Sequence, residues 1–320
     1  SIIDDIVRGR LGDIETTYFV ATGFNQPWSI KELCGLTRAM ADTGEKVKLP
    51  GTVCDIHSIG GMPGNRTTML TAPIAACLGL TIPKTSSRAI TSPSGVADTM
   101  EYLAKVDLTT GDIKRIAGKV GATLAWGGSL NMAPADDRIL RMSYPLAMEP
   151  YSKMIVSIMA KKVAMGIKYF VVEMPLGPTA KVRSMETARQ LEHKFRQIGE
   201  HFDMKVKVVK LREVEPQGRG VGPALEARDV MRVLQQKDTR SHTLERTALR
   251  LVAYVAQLTG KYRFRRAYKL ARAALQSGEA WRKMQEIIKA QGPNIKPSID
   301  SEDLISSKTL THVVKAIERG

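Results

Sequence analysis

Strand-length apolar runs alternate with helix-like stretches through most of this chain, and no other feature restricts its fold as much. Residues 51–54 and 78–82 read as short strands with a helix-like run, 67–77, between them. Helical patterns at 95–105 and 112–120 lead to a further short strand at 122–126. After a helical stretch, 138–166, the near-continuous apolar run 169–174 predicts a buried strand. An amphipathic helix over 184–201 then precedes a strand at 206–211. Strands joined through helices pair in parallel, so the pattern predicts an α/β fold with a mostly parallel sheet. The first 44 residues instead read as helices, with capping boxes opening at Ser1 and at Ser29-Ile30-Lys31-Glu32.

Two polar loops stand out against this frame. The first is the stretch DIHSIGGMPGNRTT, Asp55 to Thr68, between a strand-like run and an apolar helix. Glycines let the backbone approach a ligand closely, and a helix start offers unpaired N–H groups to an anion. Ser58, Thr67 and Thr68 add hydroxyls, while His57 and Arg66 add groups able to carry positive charge. A phosphate pocket is the functional reading; a plain strand-to-helix turn is the bland one. The second loop, KTSSRAITSPSGVAD, holds six Ser or Thr and one Arg in fifteen residues. Two such loops at neighbouring strand ends fall where ligands of α/β sheets bind.

Charge and composition narrow the partners. The net charge of +16 suits an anionic substrate and also nucleic acid. The densest basic run, Lys261-Tyr262-Arg263-Phe264-Arg265-Arg266, interleaves aromatics. It reads better as a solvated helix face than as a nucleic-acid surface, so no nucleic acid is expected. Three cysteines without a CxxC and five histidines without HxxxH or HExxH point to a reducing cytoplasm and to no transition-metal site. No apolar run approaches membrane-spanning length, so no membrane partner is expected.

The motifs DIHSIGGMPGN, KTSSRAITSPSGVADTME, WGGSLNMAPADD, SIMAKK and GPALEAR, in this order, resemble the thymidine phosphorylase superfamily. The nearest resemblance is to its archaeal AMP phosphorylase branch and the "type 2" thymidine phosphorylase-like proteins, from about Ile3 to about Pro297. The resemblance implies a nucleoside phosphorylase-II type fold: a small all-helical domain plus a larger α/β domain. Residues 1–45, completed by about 134–165, would be helical; 46–133 and 166–300 would bind phosphate and nucleotide. Residues 301–320 would be a linker and the start of a truncated C-terminal domain. The chain starts at Ser1 and stops in mid-pattern, which reads as a fragment, since members of that branch carry more sequence at both ends.

The implied activity is phosphorolysis of a nucleoside 5′-monophosphate, AMP or else CMP or UMP, to free base and ribose 1,5-bisphosphate. The alternatives are a thymidine or pyrimidine nucleoside phosphorylase and a nucleotide-binding protein without catalysis. Inorganic phosphate is the co-substrate, held by His57, Ser58, Gly60, Gly61, Thr68 and Ser86, with His57 also expected to be catalytic. Ser87, Arg88, Ala89, Ile90, Thr91 and Ser92 would hold the 5′-phosphate and ribose, the arginine fork suiting a phosphate. By the same resemblance Val96, Ser157 and Lys181 fall at ligand-binding positions, and Glu149 would protonate the departing base. No other cofactor is implied, although some relatives hold a monovalent cation near the residue matching Glu226. Relatives dimerise through the helical domain, so a homodimer or higher homo-oligomer is expected. Three departures stand out: Ile56 where phosphorylases carry a phosphate-binding lysine, Val96 for a threonine, and Glu149 for an aspartate. The first alone removes a charge-assisted bond worth roughly 1.5–3 kcal/mol, which Arg66 or Arg88 would have to replace.

Overall fold

The computed structural model describes residues 1–60, 62–89, 93–130, 132–143, 145–146, 150–213 and 215–305. Three short helices open the chain: α1 (Ile2–Val7), α2 (Asp13–Asn25) and α3 (Ile30–Asp42). The box at Ser29 is complete, since its hydroxyl accepts from Glu32 N–H at 3.3 Å and the Glu32 carboxylate accepts from Ser29 N–H at 2.7 Å. At Ser1 only the first half forms, a 3.3 Å bond from Asp4 N–H. Two later helices, α7 (Pro134–Ser143) and α8 (Tyr151–Ala164), pack on these three. The first 44 residues and the stretch after 134 therefore share one helical layer.

The strands are β1 (Cys54–Ser58), β2 (Ile82–Ser86), β3 (Ala122–Trp126), β4 (Tyr169–Leu176) and β5 (Lys205–Arg212). One ladder runs β1-β4-β5 and another β2-β3, and all the pairings are parallel among the described residues. A parallel bridge between Val53 and Thr81 brings β1 beside β2. Helices complete the crossovers: α4 (Thr67–Cys77), α5 (Val96–Glu101), α6 (Thr110–Val120), α9 (Met185–His201) and α10 (Pro223–Leu234). After these, α11 (His242–Leu258), α12 (Phe264–Gln276) and α13 (Glu279–Gln291) pack around the almost wholly buried α4.

Two strands begin later than the hydrophobic pattern predicts. Residues 51–54 and 78–82 were the apolar runs, but β1 and β2 extend through the polar sequences Asp55-Ile56-His57-Ser58 and Lys84-Thr85-Ser86. Pairing with β4 and β3 satisfies their backbones, and their polar side chains belong to the site at the strands' carboxyl ends. The long helix expected over 138–166 is two helices, α7 and α8, interrupted ahead of Pro150. The start of the 301–320 stretch, expected as a linker, lies against the α/β helices. A 3₁₀ turn at Ser301–Leu304 packs on α10, and Glu302 accepts a bidentate bond from Arg232 at 2.7 and 2.6 Å.

Among the described residues strand β3 is an edge, and an edge leaves backbone groups without partners. Gln291 at the end of α13 covers it: its side-chain oxygen accepts from Leu124 N–H at 2.8 Å and its amide donates to Lys105 O at 2.7 Å. The basic run at the start of α12 has its aromatics half-buried, with the Phe264 ring 4.6 Å from Tyr254, while Lys261, Arg263, Arg265 and Arg266 face solvent. No described helix is long and apolar enough to cross a membrane.

Candidate active site

A cavity of about 630 Å³ opens where the carboxyl ends of β1 and β2 meet α7 and α8. On the strand side it is lined by His57, Ser58, Gly60, Thr68, Ser86, Ser87, Arg88, Ala89 and Val96, and on the helical side Ser157 joins them, with Lys181 at the rim after β4. The sequence reading thus lands most of its described candidates on one cavity. Glu149, Gly61, Ile90, Thr91 and Ser92 lie outside the described residues.

Two glycines shape the walls. Gly60 has φ +84°, a left-handed conformation that a side chain strains. At Gly95 a Cβ would stand 2.3 Å from Ser87 O, so only glycine lets the second loop fold back on itself. Asp98 braces that loop, accepting from Ala89 N–H at 2.7 Å and from Gly95 N–H at 2.8 Å.

The charges differ from expectation. His57 is not a cation: burial, and then the ammonium groups of Lys84, Lys162, Lys161 and Lys181, hold its pKa well below 6.5. Arg66 also lines the cavity, but buried partners hold it. Its guanidinium bonds the buried Glu226 carboxylate at 2.5 Å and Thr99 at 3.2 Å, and also reaches Ser94. Glu226 further accepts from Thr99 at 3.0 Å and from Gly64 N–H at 3.3 Å, so Arg66 stands against the carboxylate where the resemblance implied a cation. Arg88 lines the cavity, but Glu101 engages its fork at 2.5 and 2.7 Å, Asp98 adds a contact at 3.2 Å, and Trp126 lies 4.6 Å under its face. Neither arginine stands in for the lysine absent at position 56, where the Ile56 side chain is core.

Lysines missing from the sequence reading supply the charge. Lys84 of β2 is buried at the cavity's strand end, its Nζ donating to Ile56 O at 2.9 Å and lying 3.1 Å from His57 Nδ1. With Lys84 as donor, the His57 ring proton sits on Nε2. Lys84 also lies 3.4 Å from Asp55, which Lys162 of α8 meets as well. Burial pulls the Lys84 pKa from 10.5 to about 7, against the pull of Asp55. On the helical side Asp136 is buried and accepts from Ser157 at 2.7 Å and Lys161 at 2.6 Å. Burial pushes its carboxyl up, but Lys161 and Ser157 outweigh that and keep it below the usual value. Its neighbour Asp137 lines the cavity and is raised to about 6, chiefly by burial. The sequence carried a signal for part of this. Lys153, Ser157 and Lys161 recur every fourth residue on α8 and so share one helix face.

Fold and cavity together define a class, an α/β protein with a basic cleft between parallel strand ends and a helical wall. The chain belongs to the glycosyl transferase family, a/b domain, whose profile matches residues 50–281. A Polaromonas protein provisionally named as a thymidine phosphorylase is 43% identical over 300 residues, covering 93% of this chain and 59% of that one. AMP phosphorylase 1 of Archaeoglobus fulgidus is 40% identical over 312 residues, covering 97% of this chain and 61% of its own length. The chain thus spans about three fifths of the length of the curated relatives it matches. The anthranilate phosphoribosyltransferase of Thermus thermophilus has the same fold, with a TM-score of 0.77 at 16% identity over 91% of this chain and 93% of that one.

Proposed function

We propose that this chain performs phosphorolysis of a nucleoside 5′-monophosphate, giving free base and ribose 1,5-bisphosphate. A phosphate oxygen forms the new bond to the ribose anomeric carbon as the bond to the base breaks. The bonding pair leaves on the base nitrogen, which takes up a proton. The transition state resembles an oxocarbenium ion, so holding a phosphate close to that carbon is the main requirement.

One observation carries the reading. A single cavity joins a buried cationic end, Lys84 and Lys162 beside His57 and Ser58, to a helical wall bearing Ser157, Lys161 and Asp137. The strand end suits inorganic phosphate, with Gly60, Thr68 and Ser86 around it, and Gly61 is proposed as a further phosphate-binding residue. The helical wall suits the base, and Ser87 to Ser92, Val96 and Lys181 would hold ribose and the 5′-phosphate. Glu149 is proposed as the proton donor, and Asp137 is the described carboxylate lining the cavity whose acidity also suits that work. The family relatives named as AMP phosphorylases make AMP the first nucleotide to test, with CMP and UMP beside it. Incubation with phosphate and AMP, adenosine or thymidine, read by chromatography of the freed base, decides the substrate. Release of adenine from AMP supports the proposal, and turnover of nucleosides alone contradicts it.

A second reading, a pyrimidine nucleoside phosphorylase, draws on the Arg88 contacts. With the end-on pair Nη1 and Nη2 engaged by Glu101, Arg88 does not offer that fork to a 5′-phosphate. Glu101→Gln separates the two. It lowers the KM for AMP if a nucleotide recruits Arg88; if the substrate is a nucleoside, AMP is not turned over and the KM for the nucleoside stays unchanged.

A further inference from the structure

The strand end of the cavity is unbalanced in charge. Two lysines, Lys84 and Lys162, each 2–3% exposed, share one aspartate, Asp55, itself 1% exposed. The other groups facing Lys84 do not restore the balance. His57 from β1 is neutral, and Glu173 from β4 acts from further off. The Glu173 carboxylate is engaged elsewhere, accepting from Thr67 at 2.6 Å and Asn65 at 3.1 Å, and burial raises its pKa. Around His57 the additional charges are again positive, Lys161 and Lys181. Two buried ammonium groups over one carboxylate repel each other in a medium that screens weakly. The system relaxes in one of two ways: one lysine gives up its proton, or an anion enters.

We infer that Lys84 and an oxyanion of the phosphate class enter their charged pair together, so that the anion binds along with one proton taken from solvent onto Lys84 Nζ. The inference rests on the phosphate reading of this cavity and deepens it. Lys84 is the lysine whose charge has the weaker support. Its closest partners are a main-chain carbonyl at 2.9 Å and a neutral imidazole at 3.1 Å, with Asp55 at 3.4 Å, whereas Lys162 holds the closer contact with the Asp55 carboxylate. A carbonyl stabilises an ammonium less than a carboxylate does. Burial accordingly brings Lys84 to about 7, near enough to neutrality for the empty site to hold it largely uncharged in mildly alkaline solution. A bound dianion supplies the missing negative charge and draws the proton back. No bond to carbon changes in this step; a proton passes from water or buffer to nitrogen.

Calorimetric titration tests this directly. The chain is titrated with inorganic phosphate, and separately with sulfate, at about pH 8 in two buffers of different ionisation enthalpy. Sulfate has no proton of its own to exchange in this range, so it isolates the protein's contribution. The expected result is an uptake of about one proton per anion for both ligands. Lys84→Arg, which keeps a permanent charge, binds the anion without uptake, and Lys84→Met binds it about tenfold or more weakly and without uptake. Binding of both anions to the wild-type chain with no proton uptake overturns the inference and leaves the phosphate site standing. Uptake that persists in Lys84→Arg also overturns it. Failure of the wild-type chain to bind either anion removes the phosphate reading and the inference together.

Discussion

At the scale of single residues, the charge on Lys84 has a consequence for stability as well as binding. Its folded pKa, about 7, lies below the usual 10.5, so the unfolded chain keeps that proton to higher pH than the folded one does. Stability from this group is therefore lowest below about pH 7 and rises as the pH climbs toward the unfolded value. Lys84→Met removes the titration. The melting temperature of the variant minus that of the wild type should be most positive near pH 6.5 and fall steadily by about pH 9.5. A difference that stays flat with pH excludes a buried, depressed Lys84. Asp137 runs the other way. Raised to about 6 by burial, it binds its proton more tightly when folded, so it favours the folded state less as pH rises through that value. Asp137→Asn should raise the melting temperature at pH 7.5 and change it little at pH 4. On the helical wall, Asp136 holds Ser157 and Lys161 in place. Asp136→Asn keeps a bond to Ser157 but removes the charge opposite Lys161. It should weaken nucleotide binding about tenfold, read as a rise in KM, while phosphate affinity changes little.

At the scale of elements, one side chain ties the second loop's two flanks. Asp98 in the first turn of α5 gathers the N–H groups of Ala89 and Gly95, which brings the loop's two flanks together. Asp98→Ala should raise the KM for nucleotide and lower kcat, with a loss of about 1–2 kcal/mol in unfolding free energy that denaturant titration reads. Elements of this kind were legible in the sequence where local chemistry fixes them. The Ser29 box, the β3 run and the apolar β4 run each appear where pattern and propensity place them. The start of β1 and β2 was not, because their polar residues look like loop until the partner strands are known. The lysine-aspartate cluster was less legible still. Asp55, Lys84 and Lys162 come from two strands and a helix far apart in the chain, and no local spacing joins them. The expected cations, Arg66 and Arg88, were the visible ones in the loops. Their carboxylate partners, Glu226 and Glu101, sit in helices where nothing in the sequence assigns them to those arginines.

At the scale of the whole molecule, α2 leaves an apolar face in solvent. Ile14 and Tyr18 are 72% and 73% exposed and Phe24 is 52% exposed, all on one helix of the helical layer. This is the face through which we propose the chain forms a homodimer. Ile14→Glu with Tyr18→Glu should shift the mass measured by light scattering from dimer to monomer without lowering the melting temperature. A mass unchanged by the pair of substitutions places any assembly elsewhere. The net charge of +16 acts at the same scale, favouring anions at a cleft whose charged lining residues, Asp137 apart, are basic. The account's central claim is that one cavity holds inorganic phosphate at the strand ends and the nucleotide's base at the helical wall. A crystal soaked with phosphate and AMP tests it most directly. The predicted result is phosphate within hydrogen-bond reach of Lys84, His57 and Ser58, with adenine against Ser157 and Lys161. Phosphate bound away from Lys84, or AMP lying outside this cavity, would contradict it.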